Sequence, residues 1–564
     1  MMKILATYKL ESEKVVADVK IVERDNEYIN TYELEYLQLN EATKAVLNKL
    51  KEKIVEKVDL NISDLMVSGE EPNVRKKFSE KAREFVKKEF PDATTDEMEF
   101  MLGKLIQEML GLGDLELLLA DPQLEEVIVN SSREPLWVYH RKFGWLKTNL
   151  TIPTEAQIQN YSEIIARKVG RQITSLTPLL DANLLSGSRV NSVLLPIASK
   201  GNSIVIRKFR ADPWTIVNLI DPSVATLNAD VAALLWICVQ YEMNILVGGG
   251  TGSGKTSFLN SIMLFTPTNQ RIVSIEDTRE LVLPDFTHWT PMVTRQPNSE
   301  NKGEITMLDL MVNSLRMRPD RIIVGEVRRQ REAETMFEAM HTGHAVYSTF
   351  HAEDVFQLKS RLVNPPVNIP ELSLGALNLV VMQYRQRRSG IRRCFEIAEF
   401  IEEDNKISIN VIYRWNPSID QVEKVGESIR LYTTLGLYTG MKPKEITGEL
   451  ETRARVLTYM SKKGITSVNN VGRIIALYYR DKERLMRVVN SNGSPDELLN
   501  PQIELADVNA AKKDDAFSKK DGKADKKADR QEAAIAPKKP EMKTPELIKD
   551  DVRKKLKAIF GKKK

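Results

Sequence analysis

The stretch Gly249, Gly250, Thr251, Gly252, Ser253, Gly254, Lys255 and Thr256 spells G-x-x-x-x-G-K-[ST], a spacing that lets backbone N–H groups close around phosphate oxygens. Ile245-Leu246-Val247 ahead of it is a short apolar run suited to a strand buried on both faces, and from Ser257 through Ile262 the chain continues as a helix. The loop therefore meets a helix N-terminus, where the dipole favours an anion. Lys255 is placed to reach β- and γ-phosphates, and the Thr256 hydroxyl to ligate Mg²⁺.

A phosphate cradle says only that a nucleotide binds, so the acids around it matter. Arg271–Ile275 predicts a second core strand, followed by Glu276, Asp277 and Glu280, three carboxylates within five residues. Arg321–Val324 predicts a third strand, ending at Gly325-Glu326. In open α/β sheets ligands lie beyond the carboxyl ends of the strands, where these acids fall, and carboxylates there hold Mg²⁺ or orient an attacking water. Gly325 stands where a Walker B strand carries Asp, which leaves Glu326 as the acid of that strand. Histidine is scarce, five in 564 residues, yet His341, His344 and His351 cluster. His344 and His351 flank a strand at 345–350 and are expected near the nucleotide edge of the sheet. A zinc site is the alternative, with neither a cysteine nor a tight carboxylate partner to support it.

These boxes together resemble the secretion ATPases of the type II/type IV superfamily. The resemblance rests on the phosphate loop, Ile275-Glu276-Asp277-x-x-Glu280, Val324-Gly325-Glu326-Val327-Arg328, and Thr342-Gly343-His344 to His351. Upstream, Gly111–Glu116, Asp121-Pro122, Glu125–Asn130, Leu185–Asn191 and Ile206–Phe209 are similar to the family's N-terminal domain, so it spans roughly residues 91 to 400. The acidic box and long N-terminal extension look most like the archaeal branch, motors of the archaellum, related pili and secretion. The resemblance implies ATP and Mg²⁺ as cofactors and a homohexamer acting on a polytopic membrane platform protein to assemble a pilin-like filament. It also implies catalytic roles for Glu326, Glu280, Glu276, His351 and His344. Arg189, Arg207, Lys208 and Arg210 match family positions whose cations approach the nucleotide as the N-terminal domain closes, an effect able to gate hydrolysis.

The chain is long enough for several cores, and 42% hydrophobic residues supply them. The reading is α/β: strand and helix signals in residues 1–90, a second N-terminal domain at 91–210, and a linker at 211–224 in which Trp214 docks on a neighbour. A RecA-like P-loop core follows at 225–400, then a smaller C-terminal domain at 401–500. Cys238 and Cys394 read as reduced, buried thiols. No stretch approaches eighteen apolar residues, so membrane contact is expected to be peripheral, at the inner face of the cell membrane from the cytoplasm.

Residues 501–564 differ in kind. From Ala511 onward 19 Lys+Arg stand against 10 Asp+Glu, while the whole chain is only +4. Low hydrophobicity predicts disorder to about 543, and Thr544-Pro545 opens a helix with Ile548, Val552, Leu556, Ile559 and Phe560 on one face. A basic amphipathic helix of this kind suits an anionic membrane surface. A DNA translocase with a RecA-like core is the competing function. It wants basic loops interleaved with aromatics, which the core lacks, so no nucleic-acid partner is expected.

Overall fold

The computed structural model describes residues 2–499 apart from 38, 58–70, 185–186, 210–211, 298–301, 387 and 389. The tail and its expected terminal helix lie outside the described residues, as does Arg210. Residues 1–499 form one contact unit and 500–564 another.

Two nine-stranded sheets organise the first unit. The N-terminal sheet consists of β1 (Met2–Ser12), β2 (Val15–Arg24), β3 (Thr31–Tyr36), β4 (Leu124–Val129), β5 (Trp137–His140), β6 (Gly144–Thr148), β7 (Leu179–Asn183), β8 (Arg189–Val193) and β9 (Ser203–Arg207). Its order is β1-β2-β3-β6-β5-β4-β9-β8-β7. Val15, Ala17, Val19 and Ile21 of β2 turn inward at every second residue, the period that a half-buried strand demands. The first three strands pair with the rest of the sheet through a short parallel register of Thr31 and Tyr32 with Lys147 and Thr148. One sheet thus passes from the first to the second of the N-terminal segments that the sequence separates near residue 90. The β7–β8 hairpin forms the far edge and carries Asn183 and Arg189 at its tip, paired in register.

The second sheet comprises β10 (Ile245–Gly249), β11 (Ile272–Glu276), β12 (Trp289–Val293), β13 (Arg321–Val324), β14 (Ala345–Phe350), β15 (Leu379–Arg385), β16 (Arg392–Glu403), β17 (Lys406–Asn416) and β18 (Gln421–Lys424). The order is β12-β11-β13-β14-β10-β15-β16-β17-β18. Strands β10 to β15 run parallel, while β16, β17 and β18 continue the sheet antiparallel. Strands β10, β11, β13 and β14 are buried along their whole length, as parallel strands covered by helices on both faces are, and are mostly apolar. The core is therefore RecA-like: a parallel α/β sheet with a phosphate loop following an inner strand. Strand β16 runs across position 400, where the sequence alone divides core from C-terminal domain.

The helix Ala229–Gln240 is buried along most of its length between this sheet and the C-terminal helices Pro443–Lys462 and Val468–Arg480. Trp236 is the pivot. Its ring stacks on Phe265 with centroids 5.1 Å apart and lies 4.8 Å from Tyr478, while its indole N–H donates to Tyr479 Oη at 2.8 Å. Cys238 and Cys394 are free and buried in this core, where desolvation raises both thiols, Cys394 to about 12. Trp214 of the expected linker packs on the same core, and a short helix, Ile216–Ile220, follows it. Among the described residues no helix is long and apolar enough to cross a membrane.

Candidate functional site

Strand β10 delivers the glycine loop to the carboxyl edge of the sheet, and the helix Lys255–Met263 leaves from it. Gly252 and Gly254 have φ of +72° and +90°, a region in which only glycine is unstrained. A Cβ on Gly252 would also lie 2.7 Å from Arg385 Nη1 and push that side chain aside. Gly254 caps the helix without any side-chain hydrogen bond, so the first N–H groups of the helix are left for a ligand. Ser253 Oγ and Lys255 Nζ both donate to the Gly250 carbonyl, at 2.9 and 3.1 Å. Gly249 is buried, Thr256 half-buried and Ser257 exposed on the first turn.

Burial lowers the Lys255 amine below the usual lysine range, and Glu326 and Glu280 pull it back up. Those two carboxylates therefore converge electrostatically on the cation of the loop. His351, at the end of β14, shares a 2.9 Å hydrogen bond between Nε2 and Thr251 Oγ1. Burial first, then Lys255, holds its imidazole below the ordinary value, so the neutral form dominates near pH 7.

Glu276 is placed differently from its neighbours in the acidic box. It is 2% exposed, and its Oε1 accepts the backbone N–H groups of Glu280 and Leu281 at 2.9 and 3.1 Å, fixing the turn after β11. Burial pushes the carboxyl up to about 7. A Cβ on Gly325 would touch Glu276 Cα and Cγ at 3.4 Å, so the glycine brings β13 close beside this acid.

Two arginines without an expected role hold parts of the site, Arg328 at Glu326 and Arg392 at the glycine loop. Arg328 donates from Nε and Nη2 to Glu326 Oε2, at 3.0 and 2.6 Å, and from Nη1 to Asp277 Oδ2 at 3.1 Å. Arg392, on the β15–β16 hairpin, donates to the Gly252 carbonyl at 3.0 Å. Arg328 already lay inside a recognisable box, two residues beyond Glu326. Arg392 had no sequence signal, because only strand pairing brings it back to the loop.

Other expected residues are not gathered here. His344 sits at the amino end of β14 with Nδ1 against Thr342 Oγ1 and the Ala339 carbonyl. A strand of this length, at about 3.3 Å per residue, carries it to the opposite sheet edge from His351, so the expectation that both line the nucleotide edge is corrected. Lys208 is likewise corrected: its ammonium turns into the N-terminal domain, donates to the Asp121 carbonyl and is lowered to about 8 by burial. Arg207 is exposed at the end of β9, in register with Arg189. Arg189 makes a two-point ion pair with Asp181, at 3.0 and 2.7 Å, and feels Asp277 and Glu280. A cavity of about 610 Å³ is lined by the β7–β8 hairpin, through Asp181, Asn183 and Arg189, and by Asp277, Glu326 and Arg328 at the acidic strand ends.

The residues present fit a magnesium nucleotide. The uncapped helix start, the half-buried Lys255 and the open space at Gly250, where a Cβ would meet nothing within 4 Å, make an anion cradle. Among the described residues no three His, Cys, Asp or Glu are grouped to hold a metal. Mg²⁺ keeps several waters and takes phosphate oxygens with few protein ligands, and Thr256 and Glu326 are the residues that would hold it.

Comparison with known proteins agrees with this geometry. The family described as Type II/IV secretion system protein matches residues 184–417, from the tip of the β7–β8 hairpin to β17. The uncharacterized protein MJ0900 of Methanocaldococcus jannaschii is 36% identical over 395 residues, 68% of this chain and 71% of that protein. MJ1287 of the same organism is 40% identical over 242 residues, 42% of this chain and 88% of its own length. The type IV secretion system protein PtlH of Bordetella pertussis is 28% identical over 306 residues, 49% of this chain and 89% of PtlH. With its phosphate loop, acidic strand ends and RecA-like sheet in place, the chain belongs to the type II/IV secretion system protein family and is an ATPase.

Proposed function

We propose that this ATPase is a hexameric motor that works on a polytopic membrane platform protein to assemble a pilin-like filament, such as an archaellum or type IV pilus, or to drive secretion. The observation that carries the reading is that Lys255 feels the carboxylates of Glu326 and Glu280, and that Glu326 lines a cavity shared with the β7–β8 hairpin of a second domain. Mg²⁺, when bound, would neutralise the charge that develops on the β- and γ-phosphates. The loop N–H groups and Lys255 hold those phosphates, Thr256 serves the metal, and Glu326 orients the attacking water. Glu280 is the second acid at the phosphate edge. The Thr251–His351 contact keeps the loop registered against β14. Glu276 shapes the turn that presents Glu280 and stays out of the chemistry.

Arg189 and Arg207 lie side by side on adjacent strands, and facing residues of a strand pair project from the same side. Both reach the nucleotide when the N-terminal domain closes, with Arg189 leaving Asp181 to do so. That exchange converts ATP turnover into domain motion. The motor works at the inner face of the cell membrane, reached through the platform and through the basic tail.

The test is ATP turnover of the full-length protein with platform protein, with anionic phospholipid and with single-stranded DNA. Stimulation by the first two supports the motor, whereas stimulation by DNA alone replaces it with the translocase reading. Lys255→Ala should abolish most nucleotide binding, and Glu326→Gln should bind ATP but turn over about 10²- to 10³-fold more slowly. Unchanged binding or turnover in these variants, respectively, removes the residue from its role.

A further inference from the structure

Asn183 links the N-terminal sheet to the catalytic edge by contacts that continue to Glu326. Asn183, the last residue of β7, donates from Nδ2 to the Asp277 carbonyl at 2.7 Å and accepts from Thr278 Oγ1 at 2.9 Å. Both halves of its amide are thus spent on the turn after β11. Asp277 is held on its other side, where Oδ1 accepts from Thr294 Oγ1 at 3.2 Å, and its Oδ2 takes Nη1 of Arg328. The remaining nitrogens of that guanidinium converge on a single oxygen of Glu326, Oε2. Oε1 of Glu326 has no protein donor among the described residues and is the oxygen available to a water.

We propose that Asn183 and Arg328 are positioning residues that report docking of the N-terminal domain to Glu326, through the chain Asn183, Asp277, Arg328, Glu326. The inference rests on the role given to Glu326 above and adds how that acid senses the second domain. With the hairpin docked, Asp277 is fixed, Arg328 has a second anchor, and the planar fork holds Glu326 in one rotamer. Undocking removes the Asn183 contacts, so Arg328 and Glu326 lose their common orientation. Hydrolysis then follows domain closure even before Arg189 or Arg207 is considered.

Exposure makes the proposal separable from a structural role. The Arg328 side chain is 59% exposed and that of Asp277 42%, and ion pairs so open to water contribute little to folding. Their value lies in orientation, which is read in kcat. A relay also predicts non-additivity, because once Arg328 cannot hold Glu326 the state of Asn183 no longer matters.

The experiment is steady-state ATP hydrolysis by the full-length protein and its Asn183→Ala, Arg328→Lys and doubly substituted variants, with nucleotide affinity and unfolding midpoint measured alongside. Asn183→Ala should lower kcat about fivefold with KM, ADP affinity and midpoint unchanged, the scale at which residues along a coupled network act. The double variant should be no slower than Arg328→Lys alone. Parental kcat in Asn183→Ala, or multiplicative losses in the double variant, overturns the relay. A raised KM at parental kcat assigns Asn183 to docking only and overturns it as well. Should Asn183→Ala fold poorly, Thr278→Val removes the other half of the contact, and parental kcat in that variant is equally adverse. Glu326→Gln separates the two readings: parental turnover there means the catalytic assignment has failed. An inactive Glu326→Gln beside a fully active Asn183→Ala means that only the relay has failed.

Discussion

Glu276 shows how two carboxylates four residues apart come to do different work. Glu280 is exposed and felt by Lys255, whereas Glu276 is sealed under the turn with Oε2 lacking a hydrogen-bond partner among the described residues. Desolvation raises its carboxyl from 4.5 to about 7, overcoming two backbone donors that favour the ionised form. The folded protein therefore binds this proton more tightly than the unfolded chain between those values. Below about pH 4.5 the group is protonated in both states and costs nothing. As pH rises toward 7 the folded state must either hold the proton or bury a charge, so stability falls across that window. Relative to Glu276→Gln, the parent should lose on the order of 3 kcal/mol between pH 4.5 and 7. Denaturant midpoints of the two proteins measured across that range check this, and a constant offset would show that the carboxyl titrates normally.

At the scale of elements, the helix Ala229–Gln240, buried from Val231 to Val239, joins the nucleotide sheet to the C-terminal helices. Trp236 touches Phe265 from the sheet side and Tyr478 and Tyr479 from the other. Arg453 lies nearby, 1% exposed, with its guanidinium 5.7 Å from the Trp236 ring and paired with Glu449 at 2.6 Å. Trp236→Ala removes the largest ring of this junction and leaves a cavity, which costs about 3–5 kcal/mol. Because the core is shared, core and C-terminal helices should unfold in a single transition at lower denaturant. Two separate transitions in the variant, with the nucleotide site surviving the first, would show that the helices form an independent domain. Tight packing here also explains how a motion of the C-terminal helices would reach the loop, since the helix after β10 rests on the same core.

For the whole molecule, the described unit holds every box of the site, and the basic excess lies in the tail. Deleting residues 511–564 should leave basal ATP hydrolysis and the unfolding midpoint unchanged. It should abolish sedimentation with anionic vesicles, an interaction that weakens as salt rises because charges are screened over about 8 Å at physiological ionic strength. Equal sedimentation of truncated and full-length protein at low salt would move the membrane contact elsewhere. A matching loss of hydrolysis would give the tail a part in the motor itself.

Local chemistry was legible in the sequence wherever it depends on neighbours along the chain. The loop from Gly249 to Thr256, the apolar strands β10, β11, β13 and β14, and the acids at their ends follow from glycine conformation, from periodicity, and from the rule that strands deliver residues to their carboxyl edge. What tertiary structure decided is which of those residues meet. His344 and His351 are close in sequence yet end on opposite edges, because a strand is a spacer. Glu276 and Glu280 are closer still and differ in burial, because one faces the protein and the other does not. Asn183 reaches Asp277 across 94 residues and Arg392 reaches Gly252 across 140, contacts that no periodicity encodes. Pairing of β3 with β6 and of β16 with β17 likewise merged segments that composition divides. Edge-to-edge hydrogen bonding is backbone chemistry, the same for every residue but proline, so the sequence specifies strands far more clearly than it specifies their partners.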